Sequence, residues 1–358
     1  MDAPLKGRGA QSNRSSRFLR HAADASPEYV DDAPVDDDTP ARHPATTLHV
    51  DAARTIISRN DSPDVPFGQS INPYRGCEHG CVYCFARPTH AYLDHSPGLD
   101  FETQIYAKPD AARLLDAELR RPGYRPETIH LGANTDPYQP LERDARLTRQ
   151  ILEKLLEFGH PVTVLTKGAL ILRDLDLLTE FARRGLARVA VSITTLDRDL
   201  KRTLEPRAAS PAARLRAVAA LAAAGIPTAV LFAPVIPAVN DHELEDVLAA
   251  AAGAGARRAG WVLLRLPREV RDLMVEWLET HRPLAAGRVM SLLRAARGGR
   301  DSDPRFHSRM RGEGPYVELI GRRFATALRR YGLESGREPP LDTTQFRAPP
   351  HGGQLTLW

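Results

Sequence analysis

Cys77, Cys81 and Cys84 are the only cysteines among 358 residues, and they share one eight-residue segment, Cys77-Glu-His-Gly-Cys81-Val-Tyr-Cys84. Thiols used for packing would be scattered along the chain. A redox or disulfide pair needs two cysteines, and a closed structural zinc site needs a fourth ligand, for which His79, His90 and His95 are the nearby candidates. The Cx3Cx2C spacing also suits a third chemistry. Three thiolates can take three irons of a [4Fe-4S] cube and leave the fourth iron without a protein ligand, open to a small molecule.

The order of these residues, with Tyr83 before the last cysteine, resembles the signature of the radical S-adenosylmethionine (radical SAM) enzymes. The runs NPYRGCEHGCVYCFAR and GANTDPYQP are similar to the spore photoproduct lyase-like, DNA repair photolyase-like branch of that family, over roughly residues 66–264. The resemblance implies a [4Fe-4S] cluster whose open iron is chelated by S-adenosylmethionine. Reductive cleavage then gives a 5′-deoxyadenosyl radical that abstracts a hydrogen atom, and an electron donor must supply the reduction. It further implies that Lys167, at the end of the third strand, and Ser192, in the fourth, contact S-adenosylmethionine. Tyr83 would meet adenine through its backbone. Thr135 stands where the family carries a Gly-Gly-Glu-type strand end, although the run here is Gly132-Ala133-Asn134-Thr135. One departure matters: the thymine-dimer lyases return a hydrogen atom from a cysteine outside the cluster, and this chain has none. A single-cluster enzyme with another donor, or another reaction, is expected.

These residues need elements to position them. The short apolar runs 128–133, 162–166, 189–194, 228–232 and 261–264 read as parallel strands buried on both faces. Helices alternate with them. Ser210 as N-cap, Pro211 at the first helical position and Gly225 past the end bracket one; Gly159 and Gly185 close two others. Repeated βα units predict an α/β fold with its site at the C-terminal strand ends. The family resemblance selects a partial (β/α)6 barrel. Residues 1–65, rich in Ser, Pro and Asp, read as a mostly disordered extension, 66–280 as the core, 281–345 as a basic and mainly helical region, and 346–358 as a flexible tail.

The basic region holds twelve arginines between Arg282 and Arg330 against Asp301, Asp303, Glu313 and Glu318, a balance of 12 − 4 = +8. Guanidinium groups suit phosphate, and Phe306, Tyr316 and Phe324 offer stacking faces, so nucleic acid is the expected substrate class. Modification of a protein or small molecule, or a zinc-dependent nucleic-acid-binding protein without catalysis, are the alternatives. The last residues, Gln354-Leu-Thr-Leu-Trp358, resemble the peptides with which bacterial repair proteins dock on the sliding clamp, with Gln354 fixing register and Leu355, Leu357 and Trp358 filling apolar pockets. No apolar run has the length of a membrane span, and the first residues, Met-Asp-Ala-Pro-Leu-Lys, lack the apolar core of a signal peptide, so the cytoplasm is the expected location.

Overall fold

The computed structural model describes residues 7–14, 17–18 and 45–349. Ten strands form two sheets: β1 (Thr47–Val50), β2 (Ile57–Arg59), β3 (Gln69–Ile71), β4 (Tyr74–Arg75), β5 (Gln104–Ala107), β6 (Ile129–Leu131), β7 (Val162–Thr166), β8 (Ala187–Ser192), β9 (Thr228–Val235) and β10 (Arg258–Leu263). The larger sheet runs β10-β9-β8-β7-β6-β3-β2. Its six strands from β3 to β10 are mutually parallel, and β2 adds antiparallel to β3. This is the expected α/β architecture, a row of six parallel strands alternating along the chain with helices.

The local chemistry explains the units. Ser210 accepts the Ala213 amide with its side chain, Pro211 opens the Pro211–Ala223 helix, and Gly225 follows it at φ 76°. The helix Leu147–Glu157 buries Leu147, Ile151, Leu152 and Leu155 at helical spacing and ends before Gly159. Gly132, just past β6, has φ 96°, and a Cβ there would meet the Leu165 carbonyl oxygen at 2.2 Å. Only glycine lets the chain turn this close to β7.

Regular structure reaches into both ends of the chain. Within the stretch read as a mostly disordered extension, residues 47–50 and 57–59 are strands, and β1 pairs in parallel with β5. These strands are short and largely exposed, Leu48 and Val50 included, because a neighbour's backbone, not a buried apolar face, holds them. Likewise Phe346, at the start of the expected flexible tail, packs among Tyr124, Phe158 and His160, while the Arg347 amide donates to the Phe158 carbonyl at 2.9 Å. The segment thus covers the N-terminal ends of β6 and β7 and runs to Pro349, whose carbonyl accepts from Arg120. Residues Gln354 to Trp358 lie outside the described residues. No helix among the described residues is long and apolar enough to cross a membrane.

Two imidazoles within this core carry a pH signature. His130 stacks on Phe67 at 4.3 Å and His160 contacts the Tyr124 hydroxyl at 2.8 Å. Burial pushes each down to about 4 from an ordinary 6.5. Both are neutral when folded but take a proton in the unfolded chain below pH 6.5, so stability falls as pH drops from there toward 4. Urea midpoints should therefore decline between about pH 6.5 and 5, and His160→Gln should flatten the decline; a flat profile for the wild-type protein would contradict it.

Candidate active site

The cysteine loop leaves β4 and lies across residues that follow the parallel strands. Its turns are closed by the backbone: the Gly80 amide donates to the Cys77 carbonyl at 3.3 Å, Cys84 to Cys81 at 3.2 Å and Arg87 to Cys84 at 3.2 Å. Around it stand two fully bonded charges. Arg87 is buried and donates to the carbonyls of Cys81, Pro97 and Gly98 and to Glu102 Oε1 at 2.5 Å. Glu78 accepts from Thr46 at 2.6 Å and the Leu141 amide at 2.7 Å, and pairs with Arg207 at 2.9 Å. Glu102 in turn accepts the amides of Gly9 at 3.0 Å and Ala10 at 2.8 Å. A Cβ on Gly9 would sit 1.7 Å from the Gly80 carbonyl oxygen. A strap from the N-terminal region therefore lies directly on the loop.

Cys77 and Cys81 are buried and Cys84 is partly so, and all three are free. Burial pushes each thiol up: Cys81 to about 12 with help from Glu205, and Cys77 further, with Asp136 and the other two cysteines adding to the penalty. Three gathered thiols that resist ionisation fit a cationic centre, because a bound metal reverses that logic and holds sulfur as thiolate. Among the described residues no three His, Cys, Asp or Glu side chains converge on one point. A cube makes no such demand, since each thiolate takes a separate iron. His90 and His95 face elsewhere: His90 Nε2 meets the Gln104 carbonyl at 2.8 Å and His95 Nε2 meets the Tyr106 hydroxyl at 2.8 Å.

The other predicted residues ring the loop from consecutive strands. Lys167 follows β7, and its Nζ lies 5.8 Å from the centre of the Tyr83 ring. Burial works against its charge, but Cys81, Glu205 and Asp136 outweigh that and leave its pKa raised. Tyr83 is buried, with its hydroxyl bonded to Glu205 and 3.1 Å from Thr194 Oγ1. Ser192, the last residue of β8, donates to the Ala233 carbonyl at 3.2 Å. Thr135 donates to the Tyr74 carbonyl at 3.0 Å.

Two acids organise this ring: Asp136, to which sequence reasoning gave no role, and Glu205, which the sequence offered within Glu205-Pro206-Arg207 either as an orienting group for ribose or carboxylate or as half of a loop ion pair. Asp136 accepts from Thr166 at 2.6 Å, the Lys167 amide at 2.7 Å and the Tyr138 amide at 2.9 Å, and lies 3.3 Å from His79 Nδ1. Burial opposes its charge, yet His79 and these donors bring it down to about 2. Glu205 is buried and bonded to Arg214, Tyr83 and Thr194; against the cost of burial, Arg214 and Lys167 also hold it near about 2. The other signals were Asp136 inside the GANTDPYQP run and Arg214 within an otherwise Ala- and Leu-rich helix. Of the expected stacking faces, Phe306 is 51% exposed, whereas Phe324 is buried against Trp261 and Tyr316 bonds Asp241. Four of the twelve arginines are tied to carboxylates: Arg294, Arg305, Arg309 and Arg323.

A family profile described as Radical SAM superfamily matches residues 71–251. Uncharacterised proteins of Mycobacterium tuberculosis and Mycobacterium bovis are each 38% identical over 307 residues, covering 84% of this chain and 85% of theirs. An uncharacterised protein of Methanocaldococcus jannaschii is 30% identical over 173 residues, covering 48% of this chain and 62% of its own. Among solved structures, spore photoproduct lyase with bound AdoMet and dinucleoside spore photoproduct shares the fold at TM-score 0.52 and 16% identity, covering 79% of this chain and 77% of that one.

Proposed function

This chain belongs to the radical SAM superfamily, whose members use a [4Fe-4S] cluster and S-adenosylmethionine, and from that premise we propose which of its residues hold these groups and what they act on. Cys77, Cys81 and Cys84 hold the cluster. The observation that carries this reading is the gathering of three free cysteines on one braced loop at the strand ends, with the Lys167 ammonium over the ring of Tyr83 in the same loop. When reduced, such a cluster supplies the electron that splits S-adenosylmethionine into methionine and a 5′-deoxyadenosyl radical for hydrogen abstraction.

The chain's own residues bind and orient. Lys167 is kept charged at a half-buried position and meets the carboxylate of S-adenosylmethionine. Thr135 and Ser192 already donate their protons to backbone carbonyls, so their oxygens are free to accept from the cofactor's amino and ribose groups. Tyr83, turned inward to Glu205, leaves its backbone to line the adenine. Replacing Lys167 by Ala should weaken S-adenosylmethionine binding about tenfold in anaerobic equilibrium dialysis, in line with a charged hydrogen bond lost; unchanged affinity would remove Lys167 from the site.

The substrate we favour is nucleic acid, in a DNA-repair-like reaction. Support comes from the arginines of residues 282–330 that have no carboxylate partner among the described residues, and from a fold shared with a lyase whose structure holds a dinucleoside photoproduct. With no cysteine outside the cluster, any hydrogen returned to the product comes from another donor. A separate electron-donor protein reduces the cluster, and the surroundings suit a reducing compartment such as the cytoplasm. Gln354, Leu355, Leu357 and Trp358 are proposed as a sliding-clamp peptide, which loss of clamp pull-down on deleting 354–358 would support. The deciding experiment is anaerobic reconstitution with iron and sulfide, reduction, and detection of 5′-deoxyadenosine with and without single-stranded and ultraviolet-treated DNA. A protein that carries zinc without sulfide and cleaves nothing would overturn the reading.

A further inference from the structure

The last parallel strand and the cysteine loop meet at a pair of side chains. Arg265, two residues past β10, places its guanidinium carbon 5.6 Å from the centre of the Phe85 ring. Phe85 directly follows Cys84 and is 45% exposed. Every other arginine around this point is committed. Arg309 is bonded to Asp64 and Ser62 and also lies 4.6 Å over the Phe306 ring. Arg297 donates to the carbonyls of Arg309 at 3.1 Å and Leu264 at 2.6 Å. Arg265 has one polar contact, Met310 Sδ at 3.5 Å, a weak acceptor, and no carboxylate partner among the described residues.

The carboxylate that Arg265 senses, Asp64, is already taken by Arg309. Burial and the neighbouring charges of Arg309 and Arg297 bring Arg265 down to about 10, so the charge is held at a cost that an arriving anion would relieve. The Phe85 side chain that carries it is itself 45% exposed, which leaves part of the ring open to a second partner. Beyond Arg309 the second aromatic, Phe306, forms the wall of a small cleft with Arg305, His307 and Gly312. Guanidinium and aromatic groups alternate here, Arg265 with Phe85 and the Asp64-paired Arg309 with Phe306.

We propose that Arg265 and Phe85 form the anchoring subsite for a single nucleic-acid strand, with a backbone phosphate on the guanidinium and the adjacent base against the Phe85 ring. The proposal rests on the nucleic-acid reading above and assigns it a place. A flexible strand is favoured over a duplex because stacking on Phe85 needs an unpaired base. The position next to Cys84 brings the neighbouring nucleotide toward the cysteine loop. Arg265 acts as a fork for phosphate, which a lysine reproduces only in charge.

The test is fluorescence anisotropy of the reconstituted protein with a labelled single-stranded oligodeoxynucleotide across a salt series. Arg265→Ala should weaken binding about tenfold and lower the slope of log affinity against log salt by about 0.7, one phosphate's worth for a single strand. Arg265→Lys should recover the slope but only part of the affinity. Phe85→Leu should weaken binding about tenfold with the slope unchanged, as loss of a stacked base does. Arg183→Ala, on the outer Leu175–Arg183 helix, should bind as wild type. Equal binding by Arg265→Ala and wild type would overturn this subsite and leave the nucleic-acid reading standing. A wild-type protein that binds no oligonucleotide at low salt would overturn both.

Discussion

Replacing any one of Cys77, Cys81 or Cys84 by Ala should prevent iron-sulfur incorporation and reduce 5′-deoxyadenosine formation to the level without protein. Loss of an outer partner of a metal site costs roughly 10- to 100-fold in metal affinity, and loss of a ligand itself costs more. The three nearby imidazoles are all engaged, His79 beside Asp136 and His90 and His95 with Gln104 and Tyr106. The fold should survive, because Arg87 and Glu78 brace the loop through its backbone and not through sulfur. Iron and acid-labile sulfide per chain, measured with far-ultraviolet circular dichroism, separate the two effects. A variant that keeps full iron, sulfide and activity would show that its cysteine is no ligand.

Glu205→Ala should cost stability on the scale of a broken buried ion pair, about 3–5 kcal/mol. Both partners are enclosed: the side chains of Arg214 and Glu205 are 2% and 0% exposed. Removing the carboxylate strands the Arg214 guanidinium and leaves the Tyr83 and Thr194 hydroxyls short of their acceptor. It also frees the Tyr83 ring that Lys167 faces, so affinity for S-adenosylmethionine should fall with stability. Pairing Glu205→Leu with Arg214→Met should cost less than the two single changes added together, because neither charge is then left alone. Urea unfolding of the set decides the matter. A Glu205→Ala protein within about 1 kcal/mol of wild type would mean that water already reaches the pair.

The parts of the fold visible in sequence were those whose signal is local. β7 begins and ends where its five-residue apolar run does, and the Pro211–Ala223 helix carries its own start and stop residues. β3 gave no such signal, because Gln-Ser-Ile is polar and its burial depends on partners elsewhere: the Gln69 amide oxygen accepts from the Tyr124 hydroxyl at 2.8 Å. The same division holds at the site. Cysteine spacing is written in eight consecutive residues, whereas Glu205 with Arg214, Asp136 with Lys167, and Arg265 with Phe85 meet only when the strands stand side by side. Phe324 and Tyr316 looked available for stacking because a sequence does not tell which aromatic faces inward.

The described chain begins and ends on opposite sides of the large sheet. Arg8, Gly9 and Ala10 lie on the cysteine loop, while Phe346 to Pro349 lie beneath β6 and β7. Pro349 thus leaves the protein at the N-terminal ends of the strands, the far end from the thiols. A partner held through the peptide proposed above, Gln354 to Trp358, would attach away from the cysteine loop, and the clamp pull-down and the 5′-deoxyadenosine measurement should then respond to separate sets of substitutions.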